Sequence, residues 1–135
     1  MSSSERIIKD YPPNFNEINS CVHPPEDAIF TYGQDIYNPS GGEIPPDILF
    51  HERVHTKQQG QDPKNLWFKW CYDLNFRKEQ ETEAFALQWK FVKENIGNKA
   101  AKECLDELAE KMQKVYNLGI SFYEAHTSIR KWNSS

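Results

Sequence analysis

Apolar side chains recur every three or four residues through the second half of the chain. That spacing places them on one face of an α-helix, so the pattern predicts a series of amphipathic helices. The pair Asp62-Pro63 opens the first helix, and a bend near Asn75 separates it from the second. The four predicted helices cover about residues 62–74, 77–95, 99–117 and 121–131.

The first third of the chain has a different pattern. Residues 28–32 and 35–37 are rich in β-prone side chains and are separated by Gly33, which predicts a short strand pair or one bent strand. Residues 1–27 contain four prolines and favour an extended arm or short turns, with a weak helix over Ser4–Asp10 as an alternative. We therefore predict an α+β fold, mostly α, with residues 28–135 as a single domain.

One further helix is predicted between the strands and the helical series. Pro46 suits a first helical turn, and the negative charge of Asp47 is favoured there by the helix dipole. The helix should run to about Gln59, because Gly60 is a stop signal. This helix carries the sequence His51-Glu52-Arg53-Val54-His55.

The pattern His-Glu-x-x-His is typical of zinc-dependent peptidases. His51 and His55 are four residues apart and lie on one face of a helix, so both imidazoles can bind one ion. Glu52 is rotated by about 100° from His51, which places its carboxylate beside the metal and not on it. From there it can accept a proton from a water molecule that the metal activates. The predicted cofactor is Zn²⁺, with Glu52 as the catalytic base.

A catalytic zinc ion usually has three protein ligands, so another segment must supply the third. The extended motif with a third histidine is absent, because Gln58 and Gln61 stand in place of its glycine and its histidine. The candidates are His126 and the acidic cluster at residues 79–83.

Helical phase favours Glu81 within that cluster, because its face of the helix is largely apolar and should point inward. Glu79 and Glu83 lie on wetter faces. A buried carboxylate needs a partner, and a metal ion is one. The neighbours within about 60° of Glu81 are Ala84, Phe85, Gln88, Val92 and Ile96.

Charge and composition narrow the class of protein. The chain has 135 residues, a formal net charge of −4 and no basic tract, which argues against a nucleic-acid partner. Since no apolar run approaches the ~20 residues of a membrane span and no signal-peptide layout opens the chain, we expect a cytoplasmic protein with no membrane partner. Its cysteines, Cys21, Cys71 and Cys104, are expected to be free thiols. No feature indicates an oligomeric state.

The segment Glu81-Thr82-Glu83-Ala84 resembles the E-x-x-A motif of the minigluzincins, which are minimal gluzincin-type zinc metallopeptidases, and of their larger membrane relatives. In that motif the first glutamate binds zinc, which implies the same role for Glu81. Segments 44–47 and 55–59 also resemble the small soluble members, and the resemblance covers about residues 28–129.

The resemblance implies a zincin-like minimal domain and a peptide or protein substrate that binds as an added strand along Ile29–Tyr37. It also implies a donor to the oxyanion, commonly a tyrosine or histidine, for which Tyr123 and His126 are the candidates. The chain departs from the membrane relatives at Phe85, where an aspartate commonly supports a ligand histidine. That support must come from elsewhere.

The predicted activity is zinc-dependent hydrolysis of peptide bonds. The alternative is a latent or inactive zincin-like scaffold that binds zinc or a partner protein without turnover. Two features favour this alternative: 135 residues leave little room for a second subdomain to wall a deep cleft, and the N-terminal arm or C-terminal helix could cover the metal.

Overall fold

The computed structural model describes residues 5–133, which contain six helices and a small three-stranded sheet. The mixed, mostly helical class predicted from the sequence is confirmed. Within these residues, no helix combines the length and apolar character needed to cross a membrane. The elements in chain order are β1 (Arg6–Ile8), α1 (Phe15–Cys21), β2 (Phe30–Tyr32), β3 (Asp35–Tyr37), α2 (Pro46–Gln59), α3 (Pro63–Tyr72), α4 (Leu74–Asn95), α5 (Asn98–Val115) and α6 (Phe122–Lys131).

The predicted strand pair is an antiparallel hairpin of β2 and β3. Gly33 has φ of 65° in its two-residue turn, a conformation that suits glycine. Strand β3 is central, because β1 pairs with its other edge in parallel, with Ile7 opposite Ile36. Ile36 is fully buried.

The N-terminal arm contains two regular elements that the sequence did not predict. Arg6–Ile8 form β1, where a weak helix over Ser4–Asp10 was the alternative, and Ser4 itself lies outside the described residues. Residues 15–21 form α1, whose Ile18 is 1% exposed and packs into the core. The hydrogen bonds of β1 come from β3, about 29 residues away in sequence, so local propensity cannot reveal them.

The boundaries of helices α2 to α6 lie within three residues of those predicted from the sequence. Helix α2 begins at Pro46 and ends at Gly60, which has φ of 56°. The predicted bend near Asn75 lies at Asp73, which ends α3 and caps α4 by accepting a hydrogen bond from the backbone N of Phe76 at 3.1 Å. Leu74 therefore belongs to α4.

Helix α4 is the centre of the helical layer and packs against α2, α3, α5 and α6. Two groups of buried side chains lie on its sides. The first, from α4, α5, α6 and the loop between the last two, comprises Phe85, Ala86, Leu105, Leu108, Ala109, Met112, Leu118, Ala125 and Ile129. The second, from α1, β2, α3 and the residue after α1, comprises Ile18, Val22, Phe30, Trp67, Trp70 and Cys71.

A buried arginine of α4, Arg77, joins the ends of two other helices. It donates hydrogen bonds to the backbone oxygens of Trp70 and Cys71 at the end of α3, at 2.9 and 2.7 Å. It also donates to the oxygens of Tyr116 and Asn117, just after α5, at 3.1 and 3.4 Å. Because helix ends leave carbonyls without intrahelical partners, this cation both satisfies them and fixes where Trp70 and Tyr116 lie.

Candidate metal centre

Helix α2 brings the three polar side chains of its motif into the interior. His51 and Glu52 are 3% and 6% exposed, and His55 is partly buried. The Nε2 atoms of His51 and His55 lie 3.1 Å apart, as expected for converging side chains one helical turn apart. Helix α2 therefore offers two nitrogen donors with a carboxylate beside them.

Helix α4 brings the third donor, Glu81, which is 1% exposed. Its Oε1 lies 3.6 Å from Nε2 of His51, and its Oε2 lies 3.2 Å from Nε2 of His55. The three donor atoms lie within 4.8 Å of one another, close enough to hold one metal ion. The fully buried Ala84, one turn after Glu81, allows α4 to approach α2 closely. Glu79 is exposed, as its helical phase predicted.

The hydrogen bonds around the donors fit a metal ion. Among the described residues, Oε1 of Glu81 is buried without a hydrogen-bond partner, which is costly for a carboxylate oxygen. The Nδ1 atoms of both histidines are engaged by glutamine side chains. Each Nε2 is therefore left for a ligand on the side of Glu81. Two imidazole nitrogens and a carboxylate form a donor set for a divalent transition metal, which would also satisfy the unpaired oxygen.

Without a metal, the same atoms form an ion pair. Burial by itself lowers the pKa of a histidine, but the charge and hydrogen bond of Glu81 outweigh it and raise the pKa of His55 to about 9. Burial raises the pKa of a carboxyl, but the charge of His55 and the nearness of both imidazoles hold the pKa of Glu81 well below its usual range. A proton on His55 thus lies where a metal would bind, and metal uptake must displace it.

A glutamine from α4 holds the first histidine. Oε1 of Gln88 lies 2.9 Å from Nδ1 of His51, and its Nε2 donates to Oδ2 of Asp47 at 2.8 Å. The aspartate fixes which end of the amide faces the ring, so Nδ1 of His51 carries the hydrogen and Nε2 is free for a metal. The sequence held a signal for this residue, because Gln88 is a polar side chain on the inward face of α4.

A second glutamine holds the other histidine in the same way. Oε1 of Gln58 lies 2.7 Å from Nδ1 of His55. Its Nε2 donates to Oε1 of Glu83 at 2.8 Å and to the backbone oxygen of Gln80 at 3.0 Å. Each histidine is therefore oriented by a glutamine whose amide is anchored on a carboxylate. These glutamines orient the two histidines, the role for which the membrane relatives commonly have an aspartate at the position of Phe85.

The carboxylate of Glu52 is held by a strand residue. The hydroxyl of Thr31 in β2 donates to Oε1 of Glu52 at 2.8 Å, and Thr31 is 1% exposed. Its backbone oxygen accepts from Nε1 of Trp67 at 2.8 Å and from Nε2 of Gln59 at 3.0 Å. Side chains therefore occupy both lone pairs of this carbonyl. An added substrate strand along Ile29–Tyr37 stays a prediction, and it has no free acceptor at Thr31.

A tryptophan of α3 holds one carboxylate oxygen of Glu81, Oε2. Nε1 of Trp70 donates to Oε2 of Glu81 at 3.0 Å, and Trp70 is 7% exposed. This bond leaves Oε1 of Glu81 as the unpaired oxygen. Helix α3 therefore positions a ligand that belongs to α4, and Arg77 fixes the backbone of Trp70.

A cavity of about 180 Å³ lies against these residues. Its walls come from α1, β2, α2, α3, α4 and the end of α5, and most of the lining side chains are apolar. The apolar and aromatic side chains that line it include Ile18, Val22, Phe30, Ile48, Leu66, Trp67, Trp70, Phe76 and Phe85.

Tyr116, which follows α5, lines this cavity and was not among the residues singled out from the sequence. Burial, together with the negative charges of Glu81 and Glu52, raises the pKa of Tyr116 well above its usual value. Its hydroxyl therefore stays protonated near two site carboxylates and is a hydrogen-bond donor. No local pattern marks this residue, because its place depends on how α5 ends against α4.

The two residues predicted as oxyanion donors lie elsewhere. Tyr123 is 74% exposed, and Nε2 of His126 lies 3.3 Å from Oδ1 of Asp106, on the outer face of α5 and α6. Neither lines the cavity, so we correct the prediction for both. The reason is tertiary, because the inner face of α6 is filled by Ala125 and Ile129, which pack on the far side of α4.

Comparison with protein-family models, curated proteins and solved structures gives no match.

Proposed function

We propose that this chain is a zinc metallopeptidase of the gluzincin type. The observation that carries the proposal is the position of Glu52, a buried carboxylate next in sequence to a metal-binding donor but outside the donor set. A purely structural metal site does not require such a group. A hydrolase that must take a proton from water needs one.

The residues have separate roles in the proposed reaction. Zn²⁺ held by His51, His55 and Glu81 would supply the Lewis acidity that acidifies water and polarises a peptide carbonyl. Glu52 accepts the proton of the attacking water and passes it to the leaving amine. Because Thr31 occupies Oε1 of Glu52, the proton transfers fall to the other carboxylate oxygen.

Tyr116 is the donor that we assign to the developing oxyanion. It lines the same cavity as the donor set, it is protonated, and the end of α5 is held by Arg77. A fixed donor in a buried site stabilises the charge that appears in the transition state, at no cost of reorganisation. The apolar lining of the cavity supports a peptide substrate that places an apolar side chain there.

A second function is favoured by one observation. Helix α1 and the segment after it wall the metal-facing cavity through Ile18, Val22, Pro24 and Pro25. A segment that covers the site is what a latent enzyme or a zinc-binding scaffold would have. Stoichiometric zinc in a protein that cleaves no member of a peptide library would favour this second function.

Metal analysis and peptide digestion together test the first function. We expect about one equivalent of zinc, lost in His51→Ala, and cleavage of library peptides that a chelator abolishes. In Glu52→Gln the zinc should remain while cleavage falls by about 10²- to 10⁴-fold, the usual contribution of a general base. Glu79→Gln is the matched control, because this exposed acid of α4 is outside the site.

Three outcomes would overturn parts of the proposal. Zinc far below one equivalent and unchanged by His51→Ala removes the site. Undiminished cleavage by Glu52→Gln removes the base. An equivalent of iron in place of zinc points to oxygenase chemistry, since two histidines and a carboxylate also bind Fe(II).

A further inference from the structure

Two cysteines from different helices meet beside the cavity. The Sγ atoms of Cys21, at the end of α1, and Cys71, in α3, lie 2.9 Å apart and share a hydrogen bond. Both are free thiols. Since a disulfide bond is about 2.0 Å long, its formation requires the sulfurs to approach by about 0.9 Å. Neighbouring residues of both helices, Ile18 and Trp70, line the cavity.

The two thiols differ in accessibility and acidity. Cys21 is half-buried, whereas Cys71 is 4% exposed. A hydrogen bond from Cys71 and the charge of Arg77 favour the Cys21 thiolate over the effect of burial, and the pKa of Cys21 falls to about 7. The same hydrogen bond and burial raise the pKa of Cys71. A reagent from solution therefore meets Cys21 first, and meets it partly as the thiolate, which is the nucleophilic form.

The geometry points to a redox modification site, a Cys21–Cys71 dithiol that a small-molecule disulfide such as oxidised glutathione converts to a disulfide joining α1 to α3. The two cysteines do not form a metal site, because no third metal-binding side chain lies beside them. Within residues 5–133, the group of three side chains that could bind a metal is the one from α2 and α4. This inference does not depend on the proposed peptidase activity.

The exchange proceeds in two balanced steps. The Cys21 thiolate attacks one sulfur of the glutathione disulfide, forms a mixed disulfide, and releases one glutathione thiolate that takes up a proton. Cys71 then loses its proton and attacks the Cys21 sulfur, which releases the second glutathione as its thiol. The protein loses two electrons and two protons, and one glutathione disulfide becomes two glutathione thiols. A reductant such as dithiothreitol reverses the change.

Intact mass and peptide mapping test the site in the full chain. Reduced protein is incubated with oxidised glutathione at neutral pH. We expect wild-type protein to lose the mass of two hydrogen atoms and to give a linked peptide pair containing Cys21 and Cys71. In Cys71→Ser the reaction should stop with one glutathione on residue 21. In Cys21→Ser it should slow about tenfold or more, because the accessible thiolate is gone. Cys104→Ser is the matched control and should behave as wild type.

The oxidised protein should also unfold at a higher urea concentration than the reduced protein, because the bond closes a long loop. Two results would overturn the inference. One is a wild-type protein that keeps glutathione on Cys21 without closing the pair. The other is equal modification of Cys21 and Cys104. The wild-type peptide map alone distinguishes these results, even if a serine variant does not fold.

Discussion

Side chains around the candidate metal centre have different roles, and Gln88 is the clearest case. Gln88 supplies no donor atom to the metal. Its side-chain oxygen orients the ring of His51, and its side-chain nitrogen donates a hydrogen bond to Asp47. An imidazole that is oriented in this way loses less rotational freedom on binding a metal. The affinity of the site for zinc should therefore depend also on the residues that form hydrogen bonds with the ligand side chains.

Gln88→Leu should lower zinc affinity by about 10- to 100-fold, the usual cost of removing a partner behind a ligand. The leucine keeps most of the volume but leaves Nδ1 of His51 without an acceptor. The measurement is competition with a chromophoric chelator at fixed pH. Asp47→Asn, which keeps an oxygen for the amide of Gln88, should lose less. Equal affinity in wild type and Gln88→Leu would show that the ring needs no such support.

Tyr116→Phe tests the oxyanion assignment. Removing the hydroxyl should reduce kcat by about 10²- to 10³-fold, as loss of an oxyanion donor does elsewhere. Zinc content should stay at the wild-type level, because Tyr116 is outside the donor set. The steady-state kinetics of Tyr123→Phe provide the control, since that exposed ring should be dispensable. A loss of kcat in Tyr123→Phe with no loss in Tyr116→Phe would contradict this assignment and favour Tyr123 as the oxyanion donor.

At the scale of elements, short capping signals mark where three of the helices, α3, α4 and α6, begin. Helix α6 starts with a capping box: Oγ of Ser121 accepts from the backbone N of Glu124 at 3.0 Å, and Oε1 of Glu124 lies 3.5 Å from the backbone N of Ser121. The amphipathic face that follows packs through Ala125 and Ile129 onto α4 and α5. Such local pairs need few residues, and so the sequence reveals them.

Ser121→Ala removes that cap. The free energy of unfolding should fall by about 1 kcal/mol, because one exposed helix N–H loses its acceptor. Urea unfolding followed by far-ultraviolet circular dichroism measures it. Ser128→Ala, inside the same helix, should be close to neutral because alanine has the higher helix propensity. A similar loss in both variants would mean that capping is not the cause.

At the scale of the molecule, α4 connects the site to the rest of the fold. It contributes Glu81 and Gln88 to the site, and through Arg77 it holds the ends of α3 and α5. Burial of an ion pair inside such a layer makes the stability of the metal-free protein depend on pH. The dependence follows from the pKa of His55, which is raised in the folded state.

The part of the metal-free protein's stability that His55 supplies should be lost as pH rises from about 6.5 to about 9. Below this window His55 is protonated in both the folded and unfolded states, and the stabilisation is fully present. Inside it the folded state holds the extra proton, so the contribution of His55 to the free energy of unfolding falls by up to about 1.4 kcal/mol per pH unit. Urea unfolding of chelator-treated protein across this range measures the slope.

His55→Gln is the control for that slope, because Cys21 titrates in the same window and acts in the opposite direction. Because Cys21 titrates in both proteins, the difference in free energy of unfolding between wild type and this variant should fall over the window. Zinc affinity of the wild type should rise over the same window, since the metal displaces the proton. A metal-free wild type whose pH slope equals that of His55→Gln would contradict the ion pair.

The sequence by itself determined the features that depend on local periodicity and short signals. Helix α2 begins and ends at the predicted residues because a proline, an aspartate and a glycine act within one turn of each end. The spacing of His51 and His55 and the inward phase of Glu81 follow from 3.6 residues per turn. These rules need no knowledge of neighbours, so the three candidate metal donors could be selected in advance.

Tertiary structure alone decided the features that depend on pairs distant in the chain. Strand β1 exists because β3 supplies its hydrogen bonds, and Tyr116 reaches the cavity because Arg77 holds the end of α5. Cys21 and Cys71 meet only because α1 packs on α3. Each of these contacts joins segments 29 to 50 residues apart, and helical periodicity carries no information over that separation.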